Sequence, residues 1–119
     1  MLSENEILEE GENLLGRYHV EINRRSGDRW VSTVPPLYAL TTDRRMVLQP
    51  QTRKKYEPAS LPGGAIKDVN IVKARRSLAC VTLKNDYRIT LTISWGNISE
   101  FIDQIRMIAE LPPQREYDA

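Results

Sequence analysis

The sequence predicts a mainly β domain, α+β by content, in which seven antiparallel strands form a barrel or sandwich capped by a C-terminal helix. The clearest strand pattern runs from Tyr87 to Ile93, where apolar residues alternate with polar ones. Beyond Gly96 the apolar period becomes that of a helix with one apolar stripe, formed by Ile98, Phe101, Ile102, Ile105 and Ile108. A length of 119 residues without repeats or linkers fits one domain, 1–119, with a core of about 11–111 and a polar tail over 112–119.

The N-terminal segment is expected to form a short helix. Ser3 is a good N-cap, Glu6 completes a capping box three residues later, and Gly11 ends the helix. The acidic side chains of this segment are expected to form a solvated helix face, made of Glu4, Glu6, Glu9, Glu10 and Glu12.

Apolar runs separated by turn residues predict the strands. A long loop over 24–36, which contains Pro35-Pro36, follows the first strand, and a hairpin turn over 42–45 joins the second to the third. Asn85-Asp86 predicts a tight turn because both residues tolerate positive φ. The seven predicted strands cover residues 17–23, 37–40, 46–48, 56–61, 66–71, 78–83 and 87–93.

Side chains suited to catalysis or metal binding are scarce. His19 is the only histidine and Cys80 the only cysteine, so the chain cannot supply a histidine–cysteine zinc set. His19 is expected on the wet face of the first strand, whereas Cys80 and Trp95 are expected in the core. Because phosphate-binding glycine loops and dinucleotide fingerprints are also missing from the sequence, we predict no enzyme activity, no catalytic residue, no metal and no cofactor.

Two stretches of the sequence resemble motifs of a known superfold. The first is Leu37-Tyr38-Ala39-Leu40-Thr41-Thr42-Asp43-Arg44-Arg45-Met46-Val47-Leu48, and the second is Ser60-Leu61-Pro62 followed by Ile66-Lys67-Asp68-Val69. Together with the helix that follows the last strand, they resemble the pleckstrin-homology-like (PH-like) superfold, of the GRAM and bacterial PH type, over about residues 11–111. The resemblance implies a capped barrel of a superfold that hosts lipid-binding, peptide-binding and architectural domains.

Charge is distributed unevenly along the chain. Residues 1–22 carry six acidic groups and one basic group, a balance of −5, and residues 95–119 carry five acidic and two basic groups, a balance of −3. Residues 23–94 carry fourteen basic and five acidic groups, a balance of +9. Such segregation favours an anionic partner for the middle of the chain.

The resemblance implies that the loops after the first and third strands project from the same end of the barrel. This end would group a candidate ligand-binding set, Arg24, Arg25, Arg29, Trp30, Arg53, Lys54 and Lys55. A second and weaker basic cluster is expected at the opposite end, formed by Arg44, Arg45, Lys73, Arg75 and Arg76. At least one of Arg44 and Arg45 is expected to have a structural role, such as pairing with Asp43 or Asp68.

The favoured hypothesis is a cytoplasmic, non-catalytic binding module that meets anionic membrane lipids or an acidic protein surface through its basic loops. No apolar stretch approaches the ~20 residues of a membrane span, so the expected association with membranes is peripheral. The alternative is a homo-oligomeric or peptide-binding interaction scaffold that uses a sheet edge or the helix groove. Nucleic acid is disfavoured by the acidic flanks and by an expected lack of base-stacking aromatic residues on the strands. Plain solvation of both basic clusters is the remaining alternative.

Overall fold

The computed structural model describes residues 8–27, 29–32, 36–51, 58–73 and 77–112, although the side chains of Arg25, Lys73 and residues 29–32 are not among the described parts. A 3₁₀ turn, Gly63–Ala65, joins two of the strands. The elements are β1 (Leu14–Ser26), β2 (Arg29–Ser32), β3 (Leu37–Thr42), β4 (Arg45–Pro50), β5 (Ala59–Pro62), β6 (Ile66–Lys73), β7 (Ser77–Leu83), β8 (Arg88–Trp95) and α1 (Ile98–Ile108).

The strands form one continuous antiparallel sheet that curls into a half-barrel. Seven strands follow one another in the order β5-β4-β3-β1-β8-β7-β6, so that the long strand β1 joins the two halves of the sheet. The strand β2 lies off this path and pairs with the last residues of β1, from Asn23 to Ser26. The predicted antiparallel sheet with a C-terminal helix is therefore confirmed, in the form of a single half-barrel.

One prediction at the element level is wrong, and another is not supported. The residues 24–36 do not form one long loop, because β1 continues to Ser26 and turns at Gly27, whose φ is 63°, into the short strand β2. The predicted N-terminal helix is not supported. Residues 1–7 lie outside the described residues, and Glu9 to Glu12 form a turn in which the Glu12 N–H donates to the Glu9 carbonyl at 3.0 Å.

The core lies between the concave face of the sheet and α1. Alternating residues of the strands point inward, and Val20, Val69 and Leu91 have no exposed surface. The helix contributes Phe101, Ile102 and Ile105, which are also fully buried. Partly buried Ile98 and Ile108 pack against this cluster, which confirms the predicted stripe.

A local sequence signal starts α1. The Asn97 side chain accepts a hydrogen bond from the Glu100 N–H at 3.0 Å, which satisfies one of the free donors of the first turn. After Ile108 the chain turns, and Glu110 adopts a left-handed φ of 56°. The turn at Asn85-Asp86 follows its prediction as well, since Asp86 has a φ of 67°.

A polar contact fastens the middle of α1 to the sheet. The Gln104 Oε1 accepts hydrogen bonds from the Tyr18 Oη at 2.7 Å and from the Thr41 Oγ1 at 2.5 Å. Burial raises the pKa of Tyr18 to about 12, so its hydroxyl remains protonated and able to donate. The position of the helix along β1 and β3 is thus set by directional hydrogen bonds as well as by apolar packing.

The C-terminal end of α1 packs closely on the 3₁₀ turn. Gly63 is buried, and a Cβ at this position would overlap the carbonyl oxygen of Ile108. Gly64, the next residue, has nothing within 4 Å of the corresponding position. Gly63 therefore permits a backbone-to-backbone approach that a side chain would prevent.

Candidate functional site

The connection from β2 to β3 and the connection from β4 to β5 meet at one end of the sheet. The Gln51 N–H donates to the Pro36 carbonyl at 3.2 Å, and the Gln51 Nε2 donates to the Leu37 carbonyl at 3.0 Å. Pro36 closes the segment between β2 and β3, and Gln51 opens the segment between β4 and β5. These contacts place the two segments side by side where they leave the sheet.

The first basic segment is built on the β1–β2 hairpin. In its backbone register Arg24 lies opposite Val31, Arg25 opposite Trp30, and Ser26 opposite Arg29. The Arg24 side chain is exposed. The side chains of the other predicted residues of this end lie outside the described parts, namely Arg25, Arg29, Trp30, Arg53, Lys54 and Lys55. Their grouping around a ligand stays a prediction.

The turn between β3 and β4 holds Arg45 against the segment that precedes β1. The Arg45 Nε donates to the Glu12 Oε2 at 2.9 Å, and the Arg45 Nη2 donates to the Glu12 Oε1 at 2.8 Å. The same carboxylate accepts from the Thr42 Oγ1 at 2.8 Å and from the Glu9 N–H at 2.9 Å. This is a bidentate ion pair reinforced by two further donors.

Burial makes this ion pair a structural one. The Glu12 side chain is 0% exposed and that of Arg45 is 15% exposed. The hydrogen bonds from Arg45 outweigh the opposing effect of burial and lower the pKa of Glu12 to about 2. Hydrogen bonds from the same carboxylate raise the pKa of Arg45. Glu12 is therefore not part of a solvated acidic face, as the sequence predicted, but a buried partner of Arg45.

Arg44, the other residue of the second predicted basic cluster that lies in this turn, also has an acidic neighbour. The Arg44 Nη1 lies 3.8 Å from the Glu9 Oε2, in an exposed ion pair. Asp43 accepts hydrogen bonds from the Asn13 N–H and Nδ2, each at 3.1 Å, and Asp68 accepts from Arg106. The expected structural role of this turn is thus present, but the described carboxylate partners of Arg45 are Glu12 and Glu9 rather than Asp43 or Asp68.

The turn at Arg44 lies beside the start of β6, whereas Lys73, Arg75 and Arg76 come at and after the end of this strand in the sequence. The Gly63 N–H donates to the Arg44 carbonyl at 3.1 Å, so this turn lies beside the connection that begins β6. Lys73 ends β6, seven residues after Ile66, or about 23 Å along an extended strand. The side chain of Lys73, and Arg75 and Arg76, lie outside the described residues.

A row of aromatic side chains crosses the outer face of the sheet, the face turned away from α1. His19 on β1 lies opposite Tyr38 on β3 and opposite Trp95 on β8. The His19 ring centroid is 4.9 Å from that of Tyr38 at an interplanar angle of 81°, and 5.4 Å from that of Trp95 at 50°. The Arg17 guanidinium carbon lies 4.4 Å from the Tyr38 ring centroid.

The exposure of Trp95 contradicts the prediction that it lies in the core. Trp95 is 62% exposed. Ile93 pairs with Val20 and Trp95 pairs with His19, so two residues of β8 advance against one of β1 at this bulge. The bulge reverses the inward alternation of β8, and Trp95 joins the outer face beside His19. No sequence signal other than Gly96, the residue after the bulge, marks this change.

The long edge strand of the sheet, β6, is partly covered. The Arg106 Nη1 donates to the Val69 carbonyl at 2.7 Å and to the Asp68 Oδ1 at 3.1 Å, and its Nε donates to the Pro112 carbonyl. A charged side chain therefore occupies a backbone acceptor of the edge strand, which disfavours pairing with another strand there. This contact weakens the sheet-edge form of the scaffold alternative.

Three further findings concern metal ligands, the single cysteine and helix length. No three histidine, cysteine, aspartate or glutamate side chains among them could jointly hold a metal ion. Cys80 is buried, as predicted. No helix in the described part of the chain is long and apolar enough to cross a bilayer.

The comparisons with known proteins concern the fold. No protein-family model and no curated protein matches the chain. Among solved structures, the chain is similar to the C-terminal domain of an unknown protein from Leishmania infantum, with a TM-score of 0.52 and 18% sequence identity over 71% of this chain and 73% of that chain. At this identity the likeness shows a shared fold alone.

Proposed function

We propose that this chain is a non-catalytic binding module of the PH-like superfold, of the GRAM or bacterial PH type, that attaches to anionic membrane surfaces. The observation that carries the proposal is the pair of hydrogen bonds from Gln51 to Pro36 and Leu37, which joins the start of the β4–β5 connection to the end of the β2–β3 connection. The PH-like assignment is supported by the stretches that resemble the superfold, because the first forms the β3–β4 hairpin and the second spans β5, the 3₁₀ turn and β6.

The β1–β2 hairpin and the β4–β5 connection together are called the loop end of the sheet. Its charge supports an anionic partner. The β1–β2 hairpin and the β4–β5 connection contain six basic residues, Arg24, Arg25, Arg29, Arg53, Lys54 and Lys55. A lysine or arginine near an anionic membrane contributes about 1 kcal/mol, so these six supply at most about 6 kcal/mol, a dissociation constant of tens of micromolar. Weak and salt-sensitive association of this size suits a peripheral module that acts in several copies or beside a second contact.

The turn that contains Arg44 and Arg45 is a poorer candidate for the surface that binds anionic membranes. Arg45 is neutralised by the buried Glu12 carboxylate, and Arg44 faces the Glu9 carboxylate. An anionic surface that approached this turn would compete with carboxylates already in place. The loop end is therefore the proposed binding surface.

The test is co-sedimentation with phosphatidylcholine vesicles that contain or lack phosphatidylserine, at low and at physiological salt. The test variant is Arg24→Gln/Lys54→Gln, and the matched control is Arg44→Gln/Lys67→Gln, which removes the same charge from two exposed surface ion pairs. The test variant should bind about thirty-fold more weakly than the native chain, since two contributions of about 1 kcal/mol are lost.

The control variant should bind nearly as well as the native chain. Binding that is equal with and without phosphatidylserine, or equal loss of binding in the two variants, would overturn the proposed site. Retention by an immobilised acidic protein without any binding to vesicles would move the proposal to an acidic protein partner.

A further inference from the structure

The last residues of β1 and the strand β2 form an arm of the sheet. The pairing of β1 with β3 ends at Val20, and its pairing with β8 ends at Asn23. From residue 23 to residue 26, β1 pairs with β2. In the described part of the chain, residues 24–26 therefore lie beside one strand, whereas the middle of β1 lies between two. Residues 23–26 together with β2 are called the arm.

The arm extends beyond the core. The inward residues of β1 are Tyr18, Val20 and Ile22, and each packs in the apolar cluster under α1. The next two positions of the same alternation, Arg24 and Ser26, are exposed. The contribution of β1 to the core thus ends at Ile22, just before the arm begins.

Pairing between two strands gives the arm little stability of its own. An isolated two-stranded hairpin is marginally stable in water at best. The paired positions of the arm include three arginines, Arg24, Arg25 and Arg29, and no acidic residue. Positive charges this close in the register disfavour pairing. Both features weaken the paired form of the arm in the free chain.

We propose that an anionic membrane surface stabilises the paired arm, so that the free chain populates paired and open forms and the bound chain populates the paired form. A ligand shifts such a balance when it binds one form more tightly than the other. The paired form holds its three arginines at fixed spacings, so a surface that binds it has a smaller ordering cost than one that binds the open arm. The inference rests on the proposed membrane function, because the arm carries half of the six basic residues of the loop end.

Gly27 allows the balance of the arm to be shifted without a change of charge. It turns the chain from β1 toward β2 with a φ of 63°, a left-handed conformation that favours glycine. A Cβ at Gly27 would have nothing within 4 Å, so alanine strains the turn without a steric clash. Gly64 is equally open but does not adopt a left-handed φ, so Gly64→Ala is the matched control.

The test is co-sedimentation of the whole chain and its variants with phosphatidylcholine vesicles that contain phosphatidylserine. Gly27→Ala should bind about five-fold more weakly than the native chain, because strain in the turn favours the open arm. Gly64→Ala should bind like the native chain. Thermal unfolding midpoints close to that of the native chain verify that both variants keep the core.

A cross-link gives the opposite perturbation. Asn23 and Ser32 are opposite each other in the arm, and directly opposite residues lie at Cα distances that a disulfide spans. In Asn23→Cys/Ser32→Cys, the oxidised chain should bind about two-fold or more tightly than the same chain reduced, since its arm is already paired. Native-like binding of Gly27→Ala, or an oxidised chain that binds no more tightly than the reduced one, would overturn this inference alone. A native chain that fails to bind the vesicles would overturn the membrane proposal as well.

Discussion

Replacement of Glu12 by glutamine is the most informative perturbation of the fold. Glutamine keeps the shape of the side chain but removes its charge, so Arg45 loses its anion and one carboxylate oxygen becomes a donor that faces the Arg45 N–H groups. The carboxylate has a pKa of about 2 in the fold and an ordinary value of 4.5. A difference of about 2.5 pKa units corresponds to a contribution of about 3 kcal/mol to the free energy of unfolding at neutral pH.

The dependence on pH follows from the sign of the shift. The folded-state pKa is lowered, so the stabilisation is complete above about pH 4.5 and is lost as the pH falls through about 2. The coupling between protonation and folding leaves about half of this stabilisation at pH ~3.2 and a few tenths of a kcal/mol at pH ~2. The difference between the native chain and Glu12→Gln should shrink accordingly.

Urea unfolding of both chains, followed by circular dichroism between neutral pH and about pH 2, measures this difference. The control is Glu10→Gln, which changes an exposed neighbour and should shift the free energy of unfolding by less than about 0.5 kcal/mol. A loss below about 1 kcal/mol at neutral pH, or a loss that stays constant down to pH ~2, would refute the assignment of Glu12 as a buried anion that stabilises the fold.

Two other substitutions test how α1 is attached to the sheet. Gly63→Ala should destabilise the chain by about 2 kcal/mol or more, because its Cβ would overlap the Ile108 carbonyl. Gly64→Ala is the control and should have little effect. Thermal unfolding compares the two variants, and equal midpoints would contradict the close approach. Gln104→Leu should lower the free energy of unfolding in urea by about 2 kcal/mol or more, because the Tyr18 and Thr41 hydroxyls lose their acceptor. Asp103→Asn, at an exposed position, is the control. A Gln104→Leu chain as stable as the native one would show that these hydrogen bonds do not stabilise the fold.

Periodic patterns in the sequence predicted most of the fold. The alternation in β8 and the stripe on α1 are consequences of which residues enter the core, and burial of Leu91, Phe101 and Ile105 bears them out. Asn97 was predictable as a cap because the signal is local. The hairpin β1–β2 was missed because the polar sequence of 24–32 lacks the apolar alternation by which strands are recognised.

The candidate site was less predictable because its features depend on contacts distant in sequence. Nothing in the acidic run of the first twelve residues distinguishes Glu12 from Glu10, and only the position of Arg45, 33 residues away, makes one of them a buried partner. The outward position of Trp95 depends on a bulge between β1 and β8, which the sequence of β8 does not reveal. A row of aromatics on separate strands becomes visible only after the strand register is known.

The observed strand register also affects the argument against nucleic acid as a ligand. Nucleic acid was disfavoured partly because base-stacking aromatics were not expected on the strands, yet His19, Tyr38 and Trp95 lie in a row there. The carboxylate of Glu21 on the same strand, rather than an absence of aromatics, argues against this ligand.

The central claim is that the loop end of the half-barrel is the surface that meets anionic membranes. Amide NMR spectra of the chain titrated with anionic and with neutral lipid nanodiscs test it most directly, because they locate the contact on the fold. We expect broadened or shifted amide signals at residues 24–32 and 51–58 with anionic nanodiscs only, and we expect salt to weaken these changes. Unchanged signals at these residues, or changes confined to the turn over 42–45, would contradict it.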